Sequence, residues 1–373
     1  MKVCFLLTHI PDPRMNKRIE VLKECSEVQV ICVRRSSQDI WKPSQNVKHE
    51  IIDIDLPSAK NLINRYFKSI EFQRIALQKL NEIQPDVVYA EGLDTLLIAN
   101  QYSKKRKVQI IFEVADLRES YIVKPRNPIK RLITDMLLVR EKHCFRNVNN
   151  LVITSPKFYD YHYKTLISRD KTIFIPNAPD IVFFRDYIKK KTGDFTVGFI
   201  GGIRYLKQMK MLVDSAKVTG CMVLFAGAGG TSTDYIEIKE YCDRQEHVEF
   251  TGKYDYNSQI ARLYGRVDCV YAVYDADNPN VRLALPNKLY EAVLCELPII
   301  VAKGTFLSEI VQEWGVGVSV NHKDSQELME ELKRLKNDKT YYYQFVKACK
   351  NKKQDLEAET HNLYKLKAII GTR

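Results

Sequence analysis

The sequence predicts an α/β protein of two consecutive domains, each a doubly wound, Rossmann-like parallel sheet with helices on both faces. Three observations predict it. Twelve short apolar runs rich in β-branched and aromatic residues recur along the 373 residues, six in each half. The runs are continuous instead of alternating, the pattern of strands buried on both faces. Stretches with helical spacing separate them, as at 16–24 and 326–336, and strands that alternate with helices build parallel sheets.

The first six runs lie at 3–8, 28–33, 86–90, 108–114, 151–154 and 172–175. The second six lie at 195–200, 221–227, 247–252, 268–274, 297–302 and 316–320. Between the two sets, residues 175–194 carry Pro176 and Pro179, a basic run and Gly193, and read as the boundary. The expected domains are 1–178 and 179–345, with a charged helical tail, 346–373, crossing back to the first. Two such domains are expected to face each other across a cleft, with ligands beyond the carboxyl ends of the strands.

Composition narrows the class. Hydrophobic residues make up 45% of the chain, which argues against disorder. The nine cysteines form no C-x-x-C pair and several sit inside apolar runs. That usage predicts a reducing, cytoplasmic setting and no zinc site. The apolar run at the N-terminus is too short for a membrane span and lacks a cleavage site. Of the net charge of +12, residues 1–190 supply +11, from 33 basic and 22 acidic side chains. The first half is therefore expected to meet an acidic partner. Glycine runs the other way: of 15, only Gly92 precedes residue 193. Backbone that closely approaches phosphate needs glycine, so a phosphate cradle is expected in the second half.

Two motifs fit that cradle. In 199–217 a buried strand ends in Gly201-Gly202 and turns into a helix bearing Arg204 and Lys207. Open N–H groups at a helix start and two cations suit a diphosphate; a tight turn with solvated basic residues reads equally well. In 283–302, Pro286 fits a helix first turn, and Leu285, Leu289, Ala292 and Val293 recur at helical spacing. Asn287, Lys288 and Glu291 then share one side. A carboxylate there suits a vicinal diol and the lysine a phosphate, although an exposed Lys–Glu pair has the same spacing. The glycines of 224–230, among them Gly227, follow a strand but do not fit the dinucleotide fingerprint.

In this order, strand-GGIRYLK, LFAGAGG, VEFTGKY and PNKLYEAVLCELPIIVA resemble the C-terminal domain of glycosyltransferase family 4. THIPDPRMNKRIEVLKE, DVVYAEGLDTLLIA, IIFEVADL and IPNAPD resemble its N-terminal domain. The resemblance implies a retaining GT-B hexosyltransferase that draws on a nucleotide sugar, most often a UDP-sugar, with an acceptor-side first domain. Members with the PNKLYE variant build capsule, O-antigen or exopolysaccharide. It implies a diphosphate site of Gly201, Gly202, Arg204, Lys207 and Lys288, and Glu291 on the ribose. Gly227, Tyr254, Asn287 and Leu289 would line the nucleobase and donor pocket. Two positions depart from the family: Leu283 replaces a glutamate, leaving Asn280, Arg282 or Asn287 to recognise the donor sugar, and Ala115 replaces a histidine. Asp116 or Glu113 is then the candidate to face the acceptor hydroxyl, with capping of the following turn as the alternative.

Asp275-Ala276-Asp277 has metal–diphosphate spacing, but cations fill the metal's role in this architecture, so no metal cofactor is expected. Residues 60–79 and 124–146 are basic and amphipathic, as are helices that bind anionic membranes. A glycan or polyprenyl-diphosphate-linked acceptor at the inner face of the plasma membrane would explain both. Nucleic-acid binding is not expected, because no binding motif accompanies the charge. A nucleotide-sugar 2-epimerase and an inactive sugar-nucleotide-binding partner are the rival readings.

Overall fold

A computed structural model describes residues 1–34, 46–54, 62–190, 193–229, 233–359 and 361–370. The chain divides into two compact units, Met1–Pro176 with Thr360–Arg373, and Asn177–Glu359. The return to the first unit therefore lies fourteen residues later than 346: the Lys339–Glu359 helix belongs to the second unit, and the chain rejoins the first only from Thr360 onward.

The first unit is built on strands β1 (Lys2–Leu6), β2 (Glu27–Arg34), β3 (Lys48–Asp53), β4 (Val87–Glu91), β5 (Gln109–Val114), β6 (Asn150–Ile153) and β7 (Thr172–Phe174). All pair in parallel, in the order β3-β2-β1-β4-β5-β6-β7. Strand order reverses between β1 and β4, the switch point where such sheets bind ligands. β3 was not among the expected runs. Its sequence, KHEIID, is largely polar because it forms the sheet edge and buries one residue fully.

The second unit carries β8 (Thr196–Ile200), β9 (Met222–Ala226), β10 (Val248–Gly252), β11 (Cys269–Ala272), β12 (Ile299–Ala302) and β13 (Gly317–Val320). Their order is β10-β9-β8-β11-β12-β13, again all parallel. Phe199, Phe225 and Tyr271 pack beneath the Leu206–Thr219 helix through Met209, Leu212 and Val213. The strands thus enter the core from both faces, as their unbroken apolar runs require.

Candidate functional site

In the second unit β8, β9 and β10 end together at glycines. The Gly201 N–H donates to the Ala226 carbonyl at 2.8 Å and the Gly227 N–H to the Gly252 carbonyl at 2.8 Å. Gly201 has φ +136° and Gly227 φ +150°. A Cβ on Gly227 would lie 1.8 Å from the Gly201 carbonyl oxygen, so the two turns touch backbone to backbone. Only glycine permits that approach.

Two cations converge on this turn. The Lys288 ammonium lies 2.6 Å from where a Gly201 Cβ would stand, and the Arg204 Nε 3.6 Å from that of Gly202. Lys288 is 6% exposed, and its ammonium sits 4.5 Å from the Phe199 ring centroid and 5.8 Å from that of Tyr274. It makes no hydrogen bond or ion pair among the described residues. Burial pulls its pKa down to about 8, Glu291 opposing that shift and Arg204 adding to it. Arg204 and Lys207 are both exposed, likewise without an ion pair among the described residues.

Helix ends add to the field. The Leu206–Thr219 helix, which opens with Lys207 in its first turn, starts at Tyr205 in a left-handed conformation, and no side chain caps it. The Asn287–Leu294 helix starts at Pro286, also without a side-chain cap. Pro286 is thus the cap position and not a residue of the first turn. By contrast, Asp255, Asn278, Thr305 and Asp324 each cap a helix of this unit with a side chain. These two uncapped starts lie beside the glycine turn and Lys288. Uncapped N–H groups with a partial positive charge select an anion.

Glu291 is buried, and Lys288 and Glu291 do not form the exposed pair that their spacing allows. The Tyr264 hydroxyl donates to Glu291 Oε2 at 2.6 Å, the Tyr256 hydroxyl to Oε1 at 2.7 Å and Asn287 Nδ2 to Oε1 at 2.9 Å. Tyr254 is half-buried nearby, its pKa raised by burial and by Glu291. Leu289 is fully buried, so its side chain belongs to the core and not to a donor pocket. Gly201, Gly202, Arg204, Lys288 and Gly227 therefore meet at one turn, with Asn287 and Glu291 on the helix that carries Lys288. Tyr256 and Tyr264 are not among the expected site residues. They lie eight apart on one helix face, a spacing that reads as core until the carboxylate between them is seen.

Asp275 and Asp277 meet His322, with ligand atoms within 4.8 Å of one another, a group able to hold a cation. His322 Nδ1 lies 3.2 Å from Asp275, and Lys323 pairs with Asp277 at 2.5 Å, so a positive charge already faces Asp277.

In the first unit Glu113 and Asp116 line a pocket of about 270 Å³ together with Thr8, His9, Glu91 and Tyr121. Glu113 itself is 0% exposed. Its carboxylate accepts from Arg14, from Arg18 Nε at 3.2 Å and from the Tyr89 hydroxyl. It is the counter-ion of a buried arginine pair, which corrects its assignment as an acceptor-facing group. Asp116 is exposed. His9 Nε2 stands 3.0 Å from Glu91, and Arg14 bridges Glu91 to Glu113. Burial would raise the Glu91 pKa, but Arg14 and His9 hold it down at about 2. No described helix is long and apolar enough to cross a membrane.

Comparison with known proteins agrees with this architecture. No curated protein matches the chain significantly in sequence. Among solved structures, sucrose-phosphate synthase from Thermosynechococcus elongatus is similar at 15% identity and TM-score 0.76, over 99% of this chain and 98% of that one. HepE from Anabaena, solved in complex with UDP-glucose, is 15% identical with TM-score 0.70, over 99% of this chain and 100% of its own. WaaG, a glycosyltransferase involved in lipopolysaccharide biosynthesis, is 14% identical with TM-score 0.70 over 100% of both chains. Residues 180–352 match the family model described as glycosyl transferases group 1. The match covers most of the second unit, and the chain has the GT-B fold of two parallel-sheet, Rossmann-like domains.

Proposed function

We propose that this chain is a retaining glycosyltransferase that moves a hexose from a UDP-sugar to a hydroxyl of a glycan or polyprenyl-diphosphate-linked acceptor. The reading rests on one observation above all: the helix starts without side-chain caps border the turn where Lys288 and Arg204 converge. Negative charge that develops on a departing diphosphate would meet two cations and two helix dipoles already in place, which is how such a site lowers a barrier. HepE, a similar fold, holds UDP-glucose, and this supports UDP as the leaving group.

In this reading Lys207, exposed in the first turn of its helix, adds a third cation. The ribose hydroxyls replace the Tyr256 and Asn287 donors on Glu291 Oε1, while Tyr264 keeps Oε2 fixed. Asp116 and the pocket of the first unit take the acceptor. No metal takes part, because Arg204, Lys207 and Lys288 supply the charge a divalent ion would bring, and Lys323 occupies Asp277. Capsule, O-antigen or exopolysaccharide synthesis at the cytoplasmic face of the membrane is the setting that fits the basic first unit. A thermal-shift panel tests the donor: UDP and UDP-hexoses should stabilise the chain, by about 2.7 kcal/mol at a hundred times the dissociation constant. Release of UDP without acceptor-dependent transfer would count against the reaction.

A further inference from the structure

The Pro128–Cys144 helix of the first unit is turned inside out. Its buried residues are Thr134, Glu141 and Cys144. Ile129 (67%), Leu132 (62%), Met136 (51%) and Val139 (68%) are exposed, with Ile133 at 36%. At 3.6 residues per turn these five span about 120° of the helix circumference, one continuous stripe. The inward Glu141 is satisfied by His162 Nε2 at 2.8 Å and the Tyr163 hydroxyl at 3.3 Å. Polar contacts therefore anchor the helix, and its apolar side is left to water. Val123, just before it, is 54% exposed and extends the surface.

The surroundings decide what covers such a stripe. Lys124, Arg126, Lys130, Arg131, Arg140 and Lys142 are all exposed on or beside the helix. Asp135 is the half-buried acidic group among them, 3.9 Å from Lys124. Six cations around an apolar ridge oppose a second copy of the same face, which would bring like charges together, and complement an anionic surface that also accepts hydrocarbon.

We infer that this helix docks the protein on an anionic lipid bilayer, with Ile129, Leu132, Met136 and Val139 entering the acyl boundary and the six cations meeting headgroups. The inference goes beyond the transfer reaction and does not depend on the donor assignment.

Flotation of the full chain with vesicles of phosphatidylcholine, alone or with phosphatidylglycerol, tests it. Binding is expected to the anionic vesicles only and to weaken with salt. The triple variant I129S/L132S/M136S should lose at least about tenfold in partitioning, since three buried apolar side chains are removed. K130E/R131E/R140E should lose on the order of a hundredfold. The substituted positions are exposed, so unfolding temperatures should stay near wild type, and the thermal shift with UDP should persist in both variants. Equal binding to neutral vesicles would overturn the inference, as would no loss in the serine variant. So would a dimer by light scattering that the serine variant dissolves, because the stripe would then belong to a second copy. Absence of a UDP shift already in wild type would count against the donor reading and leave the membrane inference standing.

Discussion

The Lys288 ammonium rests 4.5 Å from the centroid of the Phe199 ring, pressed against Gly201 where β8 ends. An aromatic face attracts a cation but satisfies none of its three donors. A buried lysine in that state is primed for an anionic ligand.

One consequence is a pH dependence of nucleotide binding. The folded, unliganded lysine titrates near 8, and a diphosphate favours its charged form. Affinity for UDP should be full below that pH and fall as pH rises through it, by up to about tenfold per unit. Isothermal titration from pH 6.5 to 9.5 checks it. The slope should vanish in K288M, whose affinity is low throughout.

Glu291 gives a second prediction. Its two oxygens accept from Tyr264, Tyr256 and Asn287. In E291Q one oxygen becomes an amide donor facing a hydroxyl or amide donor. Denaturant unfolding should show a loss of about 1–3 kcal/mol, and UDP affinity should fall. Y256F should spare stability more than E291Q, because Tyr256 is half-buried.

Gly227 gives a third. Its added Cβ would fall 1.8 Å from the Gly201 carbonyl oxygen, at φ +150°. G227A must push β8 and β9 ends apart, and should cost about 2 kcal/mol or more. Gly304, at φ +74° but with open space around its Cβ position, should lose less on the same change. Paired melting curves of G227A and G304A make the comparison.

Acid stability depends on Glu91. Its folded pKa is about 2 against an ordinary value of 4.5. A depressed carboxylate contributes stability that is whole above the unfolded value and lost as pH falls through the folded one. The chain should therefore weaken between about pH 4.5 and 2. In E91Q that dependence should flatten, with lower stability already at neutral pH, because His9 loses its carboxylate partner and Arg14 keeps only Glu113 and Asp12.

The parallel sheets were legible because buried strands must be apolar on both faces. β3 escaped because an edge strand such as KHEIID does not need to be. The glycine turn, Arg204 and Lys288 were legible because close approach and charge restrict residue choice at fixed spacing. Glu113 misled for the opposite reason. A carboxylate after a strand reads the same whether it meets a substrate or, as here, Arg14 and Arg18 from a helix far away in sequence. Tyr256 and Tyr264 were hidden because their hydroxyl partner, Glu291, is set by tertiary packing alone.

The most direct test is the ratio of UDP to uridine affinity, measured by titration calorimetry in wild type, R204A and K288M. If Lys288, Arg204 and the uncapped helix starts form one diphosphate site, wild type binds UDP far more tightly than uridine. Each variant should then lose about 10–100-fold for UDP, with uridine almost unchanged. A ratio that stays the same in both variants would mean that the cations at this turn hold no diphosphate.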